Sequence, residues 1–180
     1  MQKQHMEITS RSWLAVLGGL LIFGIVAPAA VAAQKADESL AARVQRIEDV
    51  KAIERVLLTY GRALDALDLE TYASLFARNG EWSGGLGTAT GGPAGVLAFM
   101  KKNLGGGGPR PEGAPRSYHL MSNFVIDVDG DRATSWSRWT FIRPGTENSP
   151  AISVYGIYED TLIRENGAWK FLRRKASNGV

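Results

Sequence analysis

Three residues hold most of the proton chemistry open to this chain: Tyr60, Asp65 and His119. A neutral imidazole takes up a proton near physiological pH. A carboxylate on its other ring nitrogen fixes the tautomer and stabilises the imidazolium, and a phenol can donate to a leaving oxygen or hold a carbonyl. The chain has two histidines, and His5 lies in a segment expected to be removed, which leaves His119 alone in the mature form. Zero cysteines exclude thiol catalysis, disulfides, iron–sulfur clusters and the usual structural zinc sites. A lone histidine is a poor transition-metal site, and the glycine runs carry no Gly-Lys-Ser/Thr phosphate loop. Ser122, Ser135 and Ser137 fall in strands rather than at a nucleophile elbow. No metal and no cofactor is expected. Each of the three residues also has a plainer use. Tyr60 suits a core position with its hydroxyl at the rim. Asp65 suits a solvated helix end or a partner for Arg62. His119 suits a half-buried strand position bonded to a backbone carbonyl.

The elements that must position these groups follow from periodicity. Ile47, Val50, Ile53, Leu57, Tyr60, Leu64 and Leu67 recur every three or four residues, which predicts one buried face of a long helix over Ser39–Leu67. Tyr60 and Asp65 are then about 140° apart around that helix, so they flank a pocket rather than share a line. Asp68 reads as the N-cap of a second helix, Leu69–Ala77, stopped by Asn79-Gly80. Glu81-Trp82-Ser83 is a short strand, and Pro93 suits the first turn of a third helix, Ala94–Asn103. The glycines and prolines of residues 105–116 predict a mobile loop.

Strands follow: Ser117–Val128, Arg132–Arg143, Ile152–Arg164 and Trp169–Lys175, with tight turns at Asp129-Gly130 and Asn166-Gly167. Alternation along the first places His119, Met121, Asn123 and Val125 on one side and Leu120, Phe124, Ile126 and Val128 on the other. Asn123 and Met121, sharing the side of His119, and Trp82 are the expected substrate contacts. The aromatics Trp82, Trp136, Trp139, Tyr155 and Tyr158 fit either a pocket or a core. Asp127 and Asp129 border a turn and read as solvated. Helices first and then an antiparallel meander imply α+β, a strongly curved sheet closed by helices into a cone with a pocket inside.

The N-terminus reads as a targeting segment. Lys3 and Arg11 precede the uncharged apolar run Trp13–Ala27, and Val31-Ala32-Ala33 fits cleavage after Ala33. The run is short against the roughly 20 residues of a membrane span, so export to the periplasm or medium is expected, with an uncleaved anchor as the alternative. No twin-arginine pair precedes the run and no cysteine follows it. Removing the first 33 of 180 residues leaves 147, enough for one domain, with a flexible stretch over 34–41 and the domain over 42–180. Losing Lys3, Arg11 and Glu7 takes the net charge from +3 to +2, a small excess of base and no nucleic-acid footprint. Arg173-Arg174-Lys175 reads as the solvated end of the last strand.

Three stretches carry a family resemblance: IERVLLTYGRALDALDLETYASLFARNGEW, RSYHLMSNFVIDVDGDRATSWSRW and VYGIYEDTLIRENGAWKFLRR. They resemble the SnoaL-like family of the nuclear transport factor 2-like superfamily from about Ala42 to Ala176. The resemblance implies a cone-shaped α+β barrel and a homodimer or homotrimer. Within the family the chain is most similar to the branch of bile acid 7α-dehydratase, scytalone dehydratase and lindane dehydrochlorinase. The bile acid dehydratase pattern of Tyr, Asp five residues later and His at the start of the long strand falls on Tyr60, Asp65 and His119. The dehydrochlorinase has the Asp and His, and a Gly-Pro here matched by Gly92-Pro93, but lysine in place of Tyr60, which favours a leaving oxygen over chloride. The resemblance therefore implies a cofactor-independent lyase or isomerase acting on a small hydrophobic cyclic substrate. A non-catalytic binding protein and an oligomerisation module of the same fold are the alternatives.

Overall fold

The computed structural model describes residues 39–105, 117–146 and 149–179. The export segment, its cleavage site and most of the glycine-rich loop lie outside the described residues. Helix α1, Leu40–Ala66, opens on Ser39, whose hydroxyl accepts from the Ala42 N–H, and closes on Leu67 in the left-handed conformation. The last two residues of the stretch expected to be flexible, Leu40 and Ala41, are thus already helical. Its buried stripe is Asp49, Ile53, Leu57, Tyr60, Gly61 and Ala63. The spacing expected from sequence holds from Ile53 onward. Ile47, expected to be buried, is 61 % exposed with Leu40 and Val44, because the first turns of α1 have no described element packed on that side.

Helix α2, Leu69–Ser74, is capped by Asp68, which accepts from the Thr71 N–H at 3.0 Å. It ends three residues short of expectation, because β1 begins at Phe76 and runs to Gly84. Asn79-Gly80 is therefore not a helix stop. It sits where the pairing of β1 with the last strand slips between Phe76 and Glu81. Glycine is required there, since a Cβ on Gly80 would lie 2.8 Å from the Phe171 carbonyl. Strand β2, Gly87–Ala89, folds back on β1, and α3, Gly92–Leu104, carries Pro93 in its first turn.

The rest is the meander: β3 (Tyr118–Asp129), β4 (Arg132–Pro144), β5 (Pro150–Glu165) and β6 (Ala168–Asn178). The six strands form one curved sheet in the order β2-β1-β6-β5-β4-β3, antiparallel except where β1 runs parallel to β6. Asn166 and Gly167 both take positive φ, as the two-residue turn between β5 and β6 demands. The sheet wraps α1 so that Ile53, Leu57 and Tyr60 meet Leu162, Trp169 and Phe171 in the core. Asp49 pins the helix to the β5–β6 hairpin, accepting from Arg164 Nη2 at 2.7 Å and Trp169 Nε1 at 3.2 Å.

Strand β3 departs from strict alternation. Its pairing with β4 slips between Ser122 and Val125, with Asn123 at φ 55°. The extra residue turns the phase over. His119 and Met121 therefore face the helix together with Phe124, Ile126 and Val128, while Leu120 and Val125 are exposed.

Candidate active site

Asp65 lies in the last turn of α1 and His119 is the second residue of β3, 54 positions away. The curl of the sheet brings the start of β3 onto the end of α1. Asp65 Oδ1 is 2.6 Å from His119 Nδ1. The His119 backbone N–H also donates to both carboxylate oxygens, at 3.1 and 2.9 Å. The carboxylate thus grips the residue by ring and main chain together. With Nδ1 donating to it, the lone pair of the neutral ring resides on Nε2. Asp65 is neither free nor paired with Arg62, and the imidazole meets a carboxylate rather than a backbone carbonyl.

Both residues line a cavity of about 490 Å³, with Tyr60, Trp82, Trp139 and Tyr158 among its other walls. Phe141 and Trp139 flank the imidazole, with ring centroids 4.7 and 6.0 Å away. Of the aromatics that fitted either pocket or core, Trp82, Trp139 and Tyr158 line the cavity; Tyr155 is exposed, and Trp136 stacks with Arg138 on the other face of the sheet.

Tyr60 is buried, and two donors converge on its hydroxyl: Tyr72 Oη at 2.8 Å and Trp82 Nε1 at 2.9 Å. With Tyr72 and Trp82 donating to its oxygen, Tyr60 has its own O–H left to donate, and the Tyr158 hydroxyl also lies within hydrogen-bonding reach of it. Burial pushes the Tyr60 hydroxyl above its ordinary value, against the opposing pull of Arg174, Tyr72 and Trp82, which keeps the proton on the oxygen at neutral pH.

Behind the cavity lies Arg174, wholly buried, its guanidinium carbon 3.8 Å from the ring centroids of both Tyr60 and Tyr158. It is not part of a solvated strand end. Only its neighbours Arg173 and Lys175 are exposed, beside Glu81 at 3.7 Å and Glu159 at 2.9 Å. Its counter-charge is Asp160, with Nε 3.5 Å from Oδ1, and Ser135 donates to the other Asp160 oxygen at 2.8 Å. Burial raises the Asp160 carboxyl above its usual range, with Arg174 and Ser135 opposing it. The guanidinium is held mainly by aromatic faces, a cation–π arrangement that arginine tolerates because it is weakly hydrated.

The sequence profile of the SnoaL-like domain matches residues 45–175. The chain belongs to the SnoaL-like family. No curated protein sequence matches it. Among solved structures, this SnoaL-like chain is similar to an NTF2-like protein with a cystatin-like fold from Novosphingobium aromaticivorans, at 24 % identity and a TM-score of 0.64, over 77 % of this chain and 87 % of that one. A scytalone dehydratase candidate from the same organism matches at 28 % identity and a TM-score of 0.58, over 75 % and 87 % of the two chains. LinA, the lindane dehydrochlorinase, matches at 23 % identity and a TM-score of 0.63, over 77 % and 90 %.

Two expected substrate contacts of the SnoaL-like domain are not at the cavity. Asn123 sits on the β3 bulge, exposed, where its side chain type suits the positive φ. Met121 packs its sulfur against Gly61 of α1, outside the cavity wall. Trp82 does line the cavity. Sequence reasoning missed Tyr72, Arg174 and Asp160. Strict alternation from Trp169 and Phe171 points Arg173 inward, but β6 slips by one residue between Phe171 and Arg173, which turns Arg174 in instead. Among the described residues no group of three His, Asp or Glu side chains is placed to hold a metal ion.

Proposed function

We propose that this SnoaL-like protein is a cofactor-independent lyase or isomerase, dehydratase-like, acting on a small hydrophobic cyclic compound. The observation that carries the reading is the 2.6 Å Asp65–His119 contact in the wall of a cavity of about 490 Å³ that Tyr60 also lines. His119 Nε2 is the base that takes a proton from carbon. Asp65 holds the tautomer and stabilises the imidazolium as it forms. Tyr60, its oxygen already accepting from Tyr72 and Trp82, donates to an oxygen of the substrate. That oxygen is a departing hydroxyl in a dehydration and an enolate oxygen in an isomerisation. Aromatic walls exclude water and strengthen each of these interactions. The similarity to a scytalone dehydratase candidate and to LinA supports elimination chemistry.

The Trp82 contact follows from its place in the cavity wall. We propose further that the protein is exported, with a mature chain beginning at Gln34 released to the periplasm or medium, and that it assembles as a dimer or trimer. The test is turnover of a panel of cyclic alcohols, ketones and halides by wild type and His119→Ala. Turnover by wild type and none by His119→Ala supports the enzyme. Equal turnover by both rejects it. Saturable binding across the panel with no turnover points instead to a ligand-binding protein of the same fold.

A further inference from the structure

The geometry points to a second ligand site on the outer side of the Asp65–His119 pair, suited to an amphipathic anion, a carboxylate on an apolar body. A separate cavity of about 360 Å³ lies between α1 and the first half of β3. Asp65 and His119 line it as well as the larger cavity, so the pair is the partition between the two. The close approach of α1 and β3 at Gly61 forms its back, where a Cβ would come 3.1 Å from Met121 Sδ.

Charge at the rim decides the occupant. Arg55 and Arg62 both line this cavity from α1. Seven residues apart, they stand within about 20° of one helical line and roughly 10 Å apart along the axis. Both are exposed, and neither has a hydrogen bond or ion pair among the described residues. Lys51, Lys101, Arg164, Arg173 and Lys175 each face a carboxylate; what sets Arg55 and Arg62 apart from other exposed cations is that both line one cavity. Between the two arginines the wall is apolar: Leu58 and Leu120 are 48 % and 53 % exposed. Guanidinium groups recognise a carboxylate through paired N–H donors, and the leucines remove an alkyl or ring body from water. The Asp65 carboxylate also lines this cavity, but its oxygens are taken up by His119, so the two arginines are the charges left to meet a ligand and they favour an anion over a neutral molecule or a cation. This site stands apart from the chemistry proposed for the inner cavity and needs no turnover there.

The two cavities share His119, so its imidazole signals report occupancy of either, and variants separate them. The experiment follows those signals by NMR in the His5→Gln chain, where His119 is the single histidine, during titration with decanoate. Arg55→Gln/Arg62→Gln changes only exposed side chains. Val154→Phe narrows the inner cavity alone, since Val154 lines that one and not the outer. A saturable shift is expected, weakened at least tenfold by Arg55→Gln/Arg62→Gln and unchanged by Val154→Phe, with decanol binding at least tenfold more weakly than decanoate. An absent titration, one unaffected by loss of both arginines, or one removed by Val154→Phe would overturn the assignment.

Discussion

Replacing Tyr60 by Phe keeps the ring, and with it the stacking of Arg174, but removes the oxygen on which two buried groups depend. Tyr72 Oη and Trp82 Nε1 both donate to it, at 2.8 and 2.9 Å. A buried donor left without an acceptor costs about 1–3 kcal/mol, so the two together cost about 2–6 kcal/mol. That is a large part of the roughly 5–15 kcal/mol that holds a domain folded. Tyr72→Phe is milder, because it removes a donor while Tyr60 Oη keeps Trp82; about 0.5–1.5 kcal/mol is expected. In Tyr60→Phe/Tyr72→Phe the stranded Tyr72 hydroxyl is gone. The double variant should therefore cost less than the two singles together, by about 1.5–4.5 kcal/mol. Urea unfolding followed by tryptophan fluorescence measures this through the midpoint at constant m. Additivity within about 0.5 kcal/mol, or a neutral Tyr60→Phe, would refute the placing of Tyr60 as the acceptor at the centre of this network.

Other consequences are as direct. The Asp49 carboxyl is held below its ordinary value: burial pushes it up, but hydrogen bonds from Arg164 and Trp169 and the Arg164 charge outweigh burial. Its stabilisation is present above the unfolded value of 3.8 and lost as pH falls through the lower folded value. Asp49→Asn should thus lower the urea midpoint clearly at about pH 7, and the difference from wild type should shrink progressively as the pH is taken below 3.8. Arg174→Met leaves the Asp160 carboxylate buried without its counter-charge, so it should cost about 3–5 kcal/mol, part of which Asp160→Asn in the same chain recovers, read by the same unfolding curves. For export, mass spectrometry of protein from the producing cell should find a chain starting at Gln34; intact protein keeping its first 33 residues in the membrane fraction would show an anchor instead.

Much of this fold is written locally. The α1 stripe from Ile53 onward, the Asp68 cap, Pro93 and the Asp129-Gly130 and Asn166-Gly167 turns are each set by neighbours a few residues away, and each is readable. What was not readable depends on pairing between distant strands. The parallel contact of β1 with β6 turns Asn79-Gly80 from a helix stop into part of an irregular strand pairing, and nothing near residue 79 announces it. Slips of register in β3 and β6 invert the side-chain phase beyond them. One slip separates Asn123 from the cavity, and the other buries Arg174 in place of Arg173.

The pair at the site shows the same division. Residue type singles out His119, because no other imidazole exists in the expected mature chain and no thiol exists at all, whereas Asp65 stands out from the other aspartates through the family resemblance. Their meeting depends on the curvature of the sheet, which carries the start of β3 to the end of α1 across 54 residues. The two donors on Tyr60 were less legible still. Tyr72 lies on a six-residue helix too short for its periodicity to reveal which side faces inward.

The central claim is that His119, held by Asp65, takes a proton from carbon. Deuterium exchange tests it before any product is known. Cyclic ketones and alcohols incubated with the protein in heavy water would be followed by NMR for loss of C–H signal. The account predicts incorporation at a carbon next to the functional group with wild type, a fall of about 10²–10⁴-fold with Asp65→Asn, and none above background with His119→Ala. Incorporation at the wild-type rate by His119→Ala would contradict it.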